Sequence, residues 1–117
     1  MATLRTRRVY EPHLPDDGQR VLVDRIWPRG LSKETLQDAV WLKEVAPSTE
    51  LRKWFGHRSE RWEGFRVRYK AELGKNHDAI NQLRDMCDRG PVTLLYSARD
   101  EERNQAVVIA EYLAAHR

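Results

Sequence analysis

Two runs, Val21-Leu22-Val23 and Val92-Thr93-Leu94-Leu95-Tyr96, lack the apolar-polar alternation of a strand with one wet face. They predict strands covered on both sides, spanning about residues 20–26 and 91–96. The long crossover between them predicts a parallel pair with both C-terminal ends on the same side. Leu4 to Tyr10 alternates more, and predicts a strand at a sheet edge where its arginines reach water. The following loop, with Pro12, Pro15 and Asp16-Asp17-Gly18, is too short for a helical crossover. The first two strands are therefore either antiparallel neighbours or separated within the sheet. Ala39 to Val45 fits a short strand or an irregular segment, with strand the preferred reading.

Helical spacing accounts for most of the rest. Ser32 fits the cap of a short turn running to Leu36, and Ser48 fits the N-cap of a helix carrying Leu51, Trp54 and Phe55, with Gly56 as a left-handed stop. Trp62, Phe65, Tyr69 and Leu73 mark a helix that starts at Ser59, with Gly74 as its expected stop. A second helix over about Asp78 to Asp88, ended by Gly90, buries Ala79, Ile80, Leu83, Met86 and Cys87, and should pack antiparallel to the first. The final helix turns Ala106, Ile109, Ala110 and Leu113 inward, with Ser97 or Asp100 as its cap. The expected fold class is α/β: one compact domain over residues 1–117, with a small mixed sheet, two central parallel strands and about four helices.

Composition narrows the function without naming it. The chain has 117 residues, 33% of them charged, with a net charge of +3. A balance this small and arginine-rich permits an anionic ligand but is also ordinary for a soluble surface. One cysteine, Cys87, leaves no internal disulfide, and no apolar segment is long enough for a membrane span, so a cytoplasmic location with no membrane association is the expectation. The zinc, P-loop and dinucleotide motifs are missing and the four histidines are scattered, so neither a cofactor nor a metal is expected.

The candidate chemistry gathers where the two apolar strands end. If they are parallel, Asp24, Arg25, Trp27 and Arg29 open onto the same edge as Tyr96, Ser97, Arg99, Asp100 and Asn104, which is where open α/β sheets place ligands. Arg29 and Arg99 would hold an anion near the start of the last helix, and Trp27 or Trp54 would supply a stacking wall. Asp24 or His57 is the candidate for proton transfer, His57 because its unperturbed pKa lies near neutrality. The competing reading pairs Asp24 with Arg99, or Arg25 with Asp100, as structural ion pairs. Ser97 lacks a nucleophile elbow and reads as a cap or a hydrogen-bonding ligand contact, while Cys87 reads as core.

Arg52 to Lys70 carries seven basic and two acidic residues among aromatics, which invites a nucleic-acid reading. On a helical wheel, however, Arg66 and Lys70 flank one side of the aromatic stripe and Arg61 and Arg68 the other. A groove-reading helix would present them on one exposed face, so nucleic-acid binding is disfavoured.

Together VLVDRIWPRG, VWLKEVAPSTELRKWFGH and VTLLYSARDEERNQA closely resemble the YeaO-like family of small bacterial proteins, domain of unknown function 488. The resemblance runs from about Arg7 to Leu113. It implies a compact α/β domain and supports Asp24, Arg25, Trp27, Arg29, Gly30, Trp54, His57, Tyr96, Ser97, Arg99, Asp100 and Asn104 as motif positions, but implies no particular activity. The expected function is binding, or conversion, of a small anionic or nucleotide-like ligand. The alternative is a non-enzymatic module that engages a protein or a nucleic acid.

Overall fold

A computed structural model describes residues 3–116. Four strands, β1 (Leu4–Arg8), β2 (Gln19–Leu22), β3 (Ala39–Trp41) and β4 (Val92–Tyr96), form a sheet in the order β1-β4-β2-β3. The expected central pair is present: β2 and β4 are parallel neighbours, with Val21 opposite Leu94 and Leu22 opposite Leu95. The pairings β1·β4 and β2·β3 are parallel too, so the sheet is parallel throughout rather than mixed. β1 and β2 are separated by β4, and residues 9–18 connect them as an irregular crossover.

The absence of alternation in β2 and β4 follows from cover on both faces. On one face Val21, Val23, Val92, Leu94 and Tyr96 meet residues from all four helices, α1 (Thr49–Phe55), α2 (Trp62–Lys75), α3 (His77–Arg89) and α4 (Gln105–Ala115). Phe55, Phe65, Tyr69, Leu73, Leu83 and Ile109 dominate that side. On the other face Leu22 and Leu95 pack with Val9 and Leu36, and Trp27, Leu31 and Ala39 close over them. Loops and one short 3-10 turn, Glu34–Leu36, cover this second face, with no α-helix on it among the described residues.

Ser48 caps α1 as expected, its Oγ accepting from the Leu51 N–H at 3.1 Å, and Gly56 ends the helix at φ 54°. Ala39 to Val45 divides into β3 and a single 3-10 turn, Lys43–Val45. Three expectations change. Gly74 does not stop α2, which runs one residue further, to Lys75. Only Asn76 then separates α2 from α3, in place of the expected connection over residues 74–77, and α2 packs chiefly on α1 and α4. The cap of α4 is Asn104, whose Oδ1 accepts from the Val107 N–H at 3.1 Å, in place of Ser97 or Asp100.

Candidate functional site

Beyond the last ladder bond of β2, from the Val23 N–H to the Leu95 carbonyl, the chain turns outward at Asp24. Beyond β4 it turns at Ser97. The two turns lie side by side because the strands are in register, and between them opens a cavity of about 800 Å³. Its walls come from the Asp24-Arg25-Ile26 turn, the Ala46-Pro47 segment, α1, and the loop from Ser97 to Gln105. Phe55 and Phe65, stacked with their centroids 4.5 Å apart, form an apolar floor.

Asp24 is 7% exposed. Its Oδ2 accepts from the Ser97 backbone N–H at 3.1 Å, and its Oδ1 accepts from the Gln105 side-chain amide. Burial pushes this carboxyl above the ordinary aspartate value, and the bonds from Ser97 and Gln105 with the nearby Arg52 charge offset that only in part. Arg25 is bound to backbone carbonyls, donating to Pro47 at 3.2 Å and Ala46 at 3.1 Å, and so fixes the opposite wall. Among the described residues neither Asp24–Arg99 nor Arg25–Asp100 forms a salt bridge. Asp100 instead accepts from the Glu102 and Arg103 N–H groups, both at 3.0 Å, and these bonds first of all hold its carboxyl below the usual value.

Five cationic side chains line the cavity: Arg25, Arg52, Lys53, Arg99 and Arg103. Arg25 is used by carbonyls and Arg103 by Asp100, at 3.3 Å. Arg52, Lys53 and Arg99 make no side-chain hydrogen bond or ion pair among the described residues. His57 also lines the cavity; it is exposed, and its φ of 58° is the single positive value at a non-glycine position among the described residues. Such a conformation costs of order 1–3 kcal/mol and clusters at functional sites.

The structure thus brings together Asp24, Arg25, His57, Ser97, Arg99, Asp100 and Asn104. It separates four others from them. Trp27 lies on the loop-covered face, 5.3 Å edge-on from Trp41, with its indole N–H on the Leu31 carbonyl. Arg29 is exposed outside the cavity lining, and its carbonyl accepts from the Tyr10 hydroxyl at 3.0 Å. Trp54 turns toward α2, held by the Arg61 and Arg68 guanidinium groups at 5.2 and 4.1 Å from its ring. Tyr96, 2% exposed, is absent from the cavity lining, although its hydroxyl reaches Asn104 from the helix-covered face of the sheet. Alternation explains Tyr96: as the last residue of β4 it shares the helix-covered face of Val92 and Leu94.

Arg52, Lys53, Phe55, Phe65, Arg103 and Gln105 line the cavity without having been singled out in the sequence. A signal existed for Gln105, which is the first residue of the helix that follows the second apolar strand, at the end facing the strand termini. The flanks of the aromatic stripe are engaged within the fold: Arg66 and Lys70 meet Glu111 at 3.0 and 3.4 Å, while Arg61 and Arg68 clamp Trp54. Among the described residues no group of three His, Cys, Asp or Glu is placed to hold a metal, and no helix is long and apolar enough to cross a membrane.

A parallel α/β fold with a cation-lined cavity at its central strand ends is the class of protein defined by these features. The chain belongs to the DUF488-N3i family, described as the inactive DUF488-N3 subclade, which it matches over residues 3–117. It is 44% identical over 110 residues to the uncharacterized protein YeaO of Escherichia coli K12, covering 94% of this chain and 96% of that one. It is 47% identical over 112 residues to the uncharacterized protein Rv3073c of Mycobacterium tuberculosis H37Rv, covering 94% of this chain and 92% of that one. No solved structure matches the chain.

Proposed function

We propose that residues 1–117 act as one cytoplasmic α/β domain that binds a small anionic, nucleotide-like ligand at the C-terminal ends of β2 and β4. One observation carries the reading: Arg52, Lys53 and Arg99 surround a cavity of about 800 Å³ with an aromatic floor, and none of them has an ion-pair partner among the described residues. Cations that converge on a concave site without a carboxylate partner suit phosphate or carboxylate. The description of the family as an inactive subclade favours binding without turnover. In that role Asp24 and His57 contact or orient the ligand rather than move protons.

Thermal unfolding with and without millimolar phosphate or nucleoside monophosphates tests the reading. The wild type should be stabilised by at least one of them, and the combined Arg52→Ala, Arg99→Ala variant should lose that protection. Equal protection of the variant, or none of the wild type, sinks it.

A further inference from the structure

The cavity is bipolar. Asp24 is deeply buried at the junction of the two strand ends, while Lys53 and Arg99 are exposed and Arg52 is half-buried, near enough to Asp24 for its charge to act on the carboxyl. A carboxylate has about four lone-pair sites, and Asp24 uses one on each oxygen, for the Ser97 N–H and for the Gln105 amide, with the Ser97 hydroxyl close enough to take a third. Both partners are donors, which is the environment of an acceptor. An anionic group seated against Asp24 would be repelled, whereas a ligand N–H would fill its remaining capacity. The anionic end of a ligand therefore belongs at Arg52, Lys53 and Arg99, and a donor end belongs inside.

From this arrangement we infer that the ligand is a nucleotide whose base carries an exocyclic amino group, read by Asp24, with its phosphate held by Arg52, Lys53 and Arg99. This inference rests on the anion-binding reading above and specifies its ligand. Phe55 and Phe65, packed on each other, give the inner end of the cavity an apolar lining against which a base can lie, and the volume admits a base, a ribose and a phosphate. Gln105 serves as a positioning residue. Its amide fixes one Asp24 oxygen, leaving its own carbonyl as a second acceptor beside the carboxylate.

Paired ligands that differ in one group test the inference by calorimetric titration of the full chain. Cytidine and uridine 5′-monophosphate form one pair, adenosine and inosine 5′-monophosphate the other, with inorganic phosphate alone as reference. The amino-bearing member of at least one pair should bind about tenfold tighter or more, the scale of one charge-assisted hydrogen bond. Asp24→Asn, which can donate as well as accept, should abolish or reverse that preference. Equal binding within both pairs overturns the inference and leaves the anion site standing, as does phosphate binding as tightly as any nucleotide. A preference that survives Asp24→Asn overturns it also. If neither phosphate nor any nucleotide binds, both readings fall. Should Asp24→Asn not fold, the wild-type preference within each pair still decides the matter.

Discussion

The side-chain amide of Gln105 donates to Oδ1 of Asp24, tying the first residue of α4 to the turn that ends β2. Residues 81 positions apart in the chain are thereby coupled at the inner end of the cavity. Because burial raises the Asp24 carboxyl, the folded state holds its proton more firmly than the unfolded chain. The contribution of Asp24 to stability is therefore greatest below the ordinary value of 3.8 and is lost as pH rises through the raised folded value. Gln105→Glu should sharpen this, since it replaces a donor with a second acid. We expect a melting point near that of the wild type at pH 4, and a loss of about 1–3 kcal/mol at pH 7. Equal destabilisation at both pH values would contradict the coupling.

Asp17 has the opposite sign. Its side chain is fully buried; burial alone would raise it, but the bond from Arg7, the Leu14 N–H at 3.0 Å and the Arg7 and His13 charges outweigh burial and lower the carboxyl. The stability it contributes is present above 3.8 and is lost as pH falls through the lowered folded value. Asp17→Asn should flatten that part of the acid unfolding curve. Asp17→Ala, which leaves the guanidinium of Arg7 and the nearly buried Arg20 without this partner, should cost about 3–5 kcal/mol in a denaturant titration at pH 7.

The parts of this molecule legible in its sequence are those set by local pattern. The runs at Val21 and Val92 are apolar throughout because helices cover one face and loops the other, so their parallel pairing, and with it the meeting of Asp24 and Ser97, could be inferred. The Ser48 and Gly56 boundaries were equally local. Which way a side chain faces beyond a strand end was not. Pro28 and Gly30 carry the chain away over the loop-covered face, and that takes Trp27 and Arg29 out of the cavity although they lie within five residues of Asp24. Arg52 and Lys53 were hidden for a different reason. They lie in the same basic stretch as Arg61 to Lys70, and only the break at Gly56-His57 separates the cavity-lining cations from those that brace α2.

The loop between β1 and β2 depends on a close approach. Gly18 sits at φ 68°, and a Cβ there would run into the backbone carbonyl of Pro91, the residue that leads into β4. The Gln19 N–H donates to that same carbonyl at 2.9 Å, so the contact cannot open without breaking the register of the central strands. Gly18→Ala should therefore combine backbone strain with displacement of Pro91, and lower stability by more than about 1 kcal/mol. Unfolding in urea measures it. A change within experimental error would show that the crossover relaxes freely.

Arg25 separates wall-building from ligand contact. Its guanidinium spans two successive carbonyls, Ala46 and Pro47, and this segment joins the 3-10 turn at Val45, whose carbonyl accepts from the buried Tyr69 hydroxyl at 2.5 Å, to the cap of α1. Lysine cannot make both bonds with the geometry of a planar fork. Arg25→Lys should retain the charge at the cavity yet lose about 1–3 kcal/mol of stability, the worth of a hydrogen bond to a charged group. Tyr69→Phe should lose about 1–2 kcal/mol from the same wall while leaving every cavity charge in place. If the wall positions α1, both variants should weaken phosphate or nucleotide protection in proportion to their loss of stability. Arg99→Ala should weaken protection with stability almost unchanged, because Arg99 is exposed and unpaired. Thermal unfolding of the three variants with and without ligand distinguishes these outcomes, and a destabilised Tyr69→Phe with undiminished protection would show that the wall does not set the site.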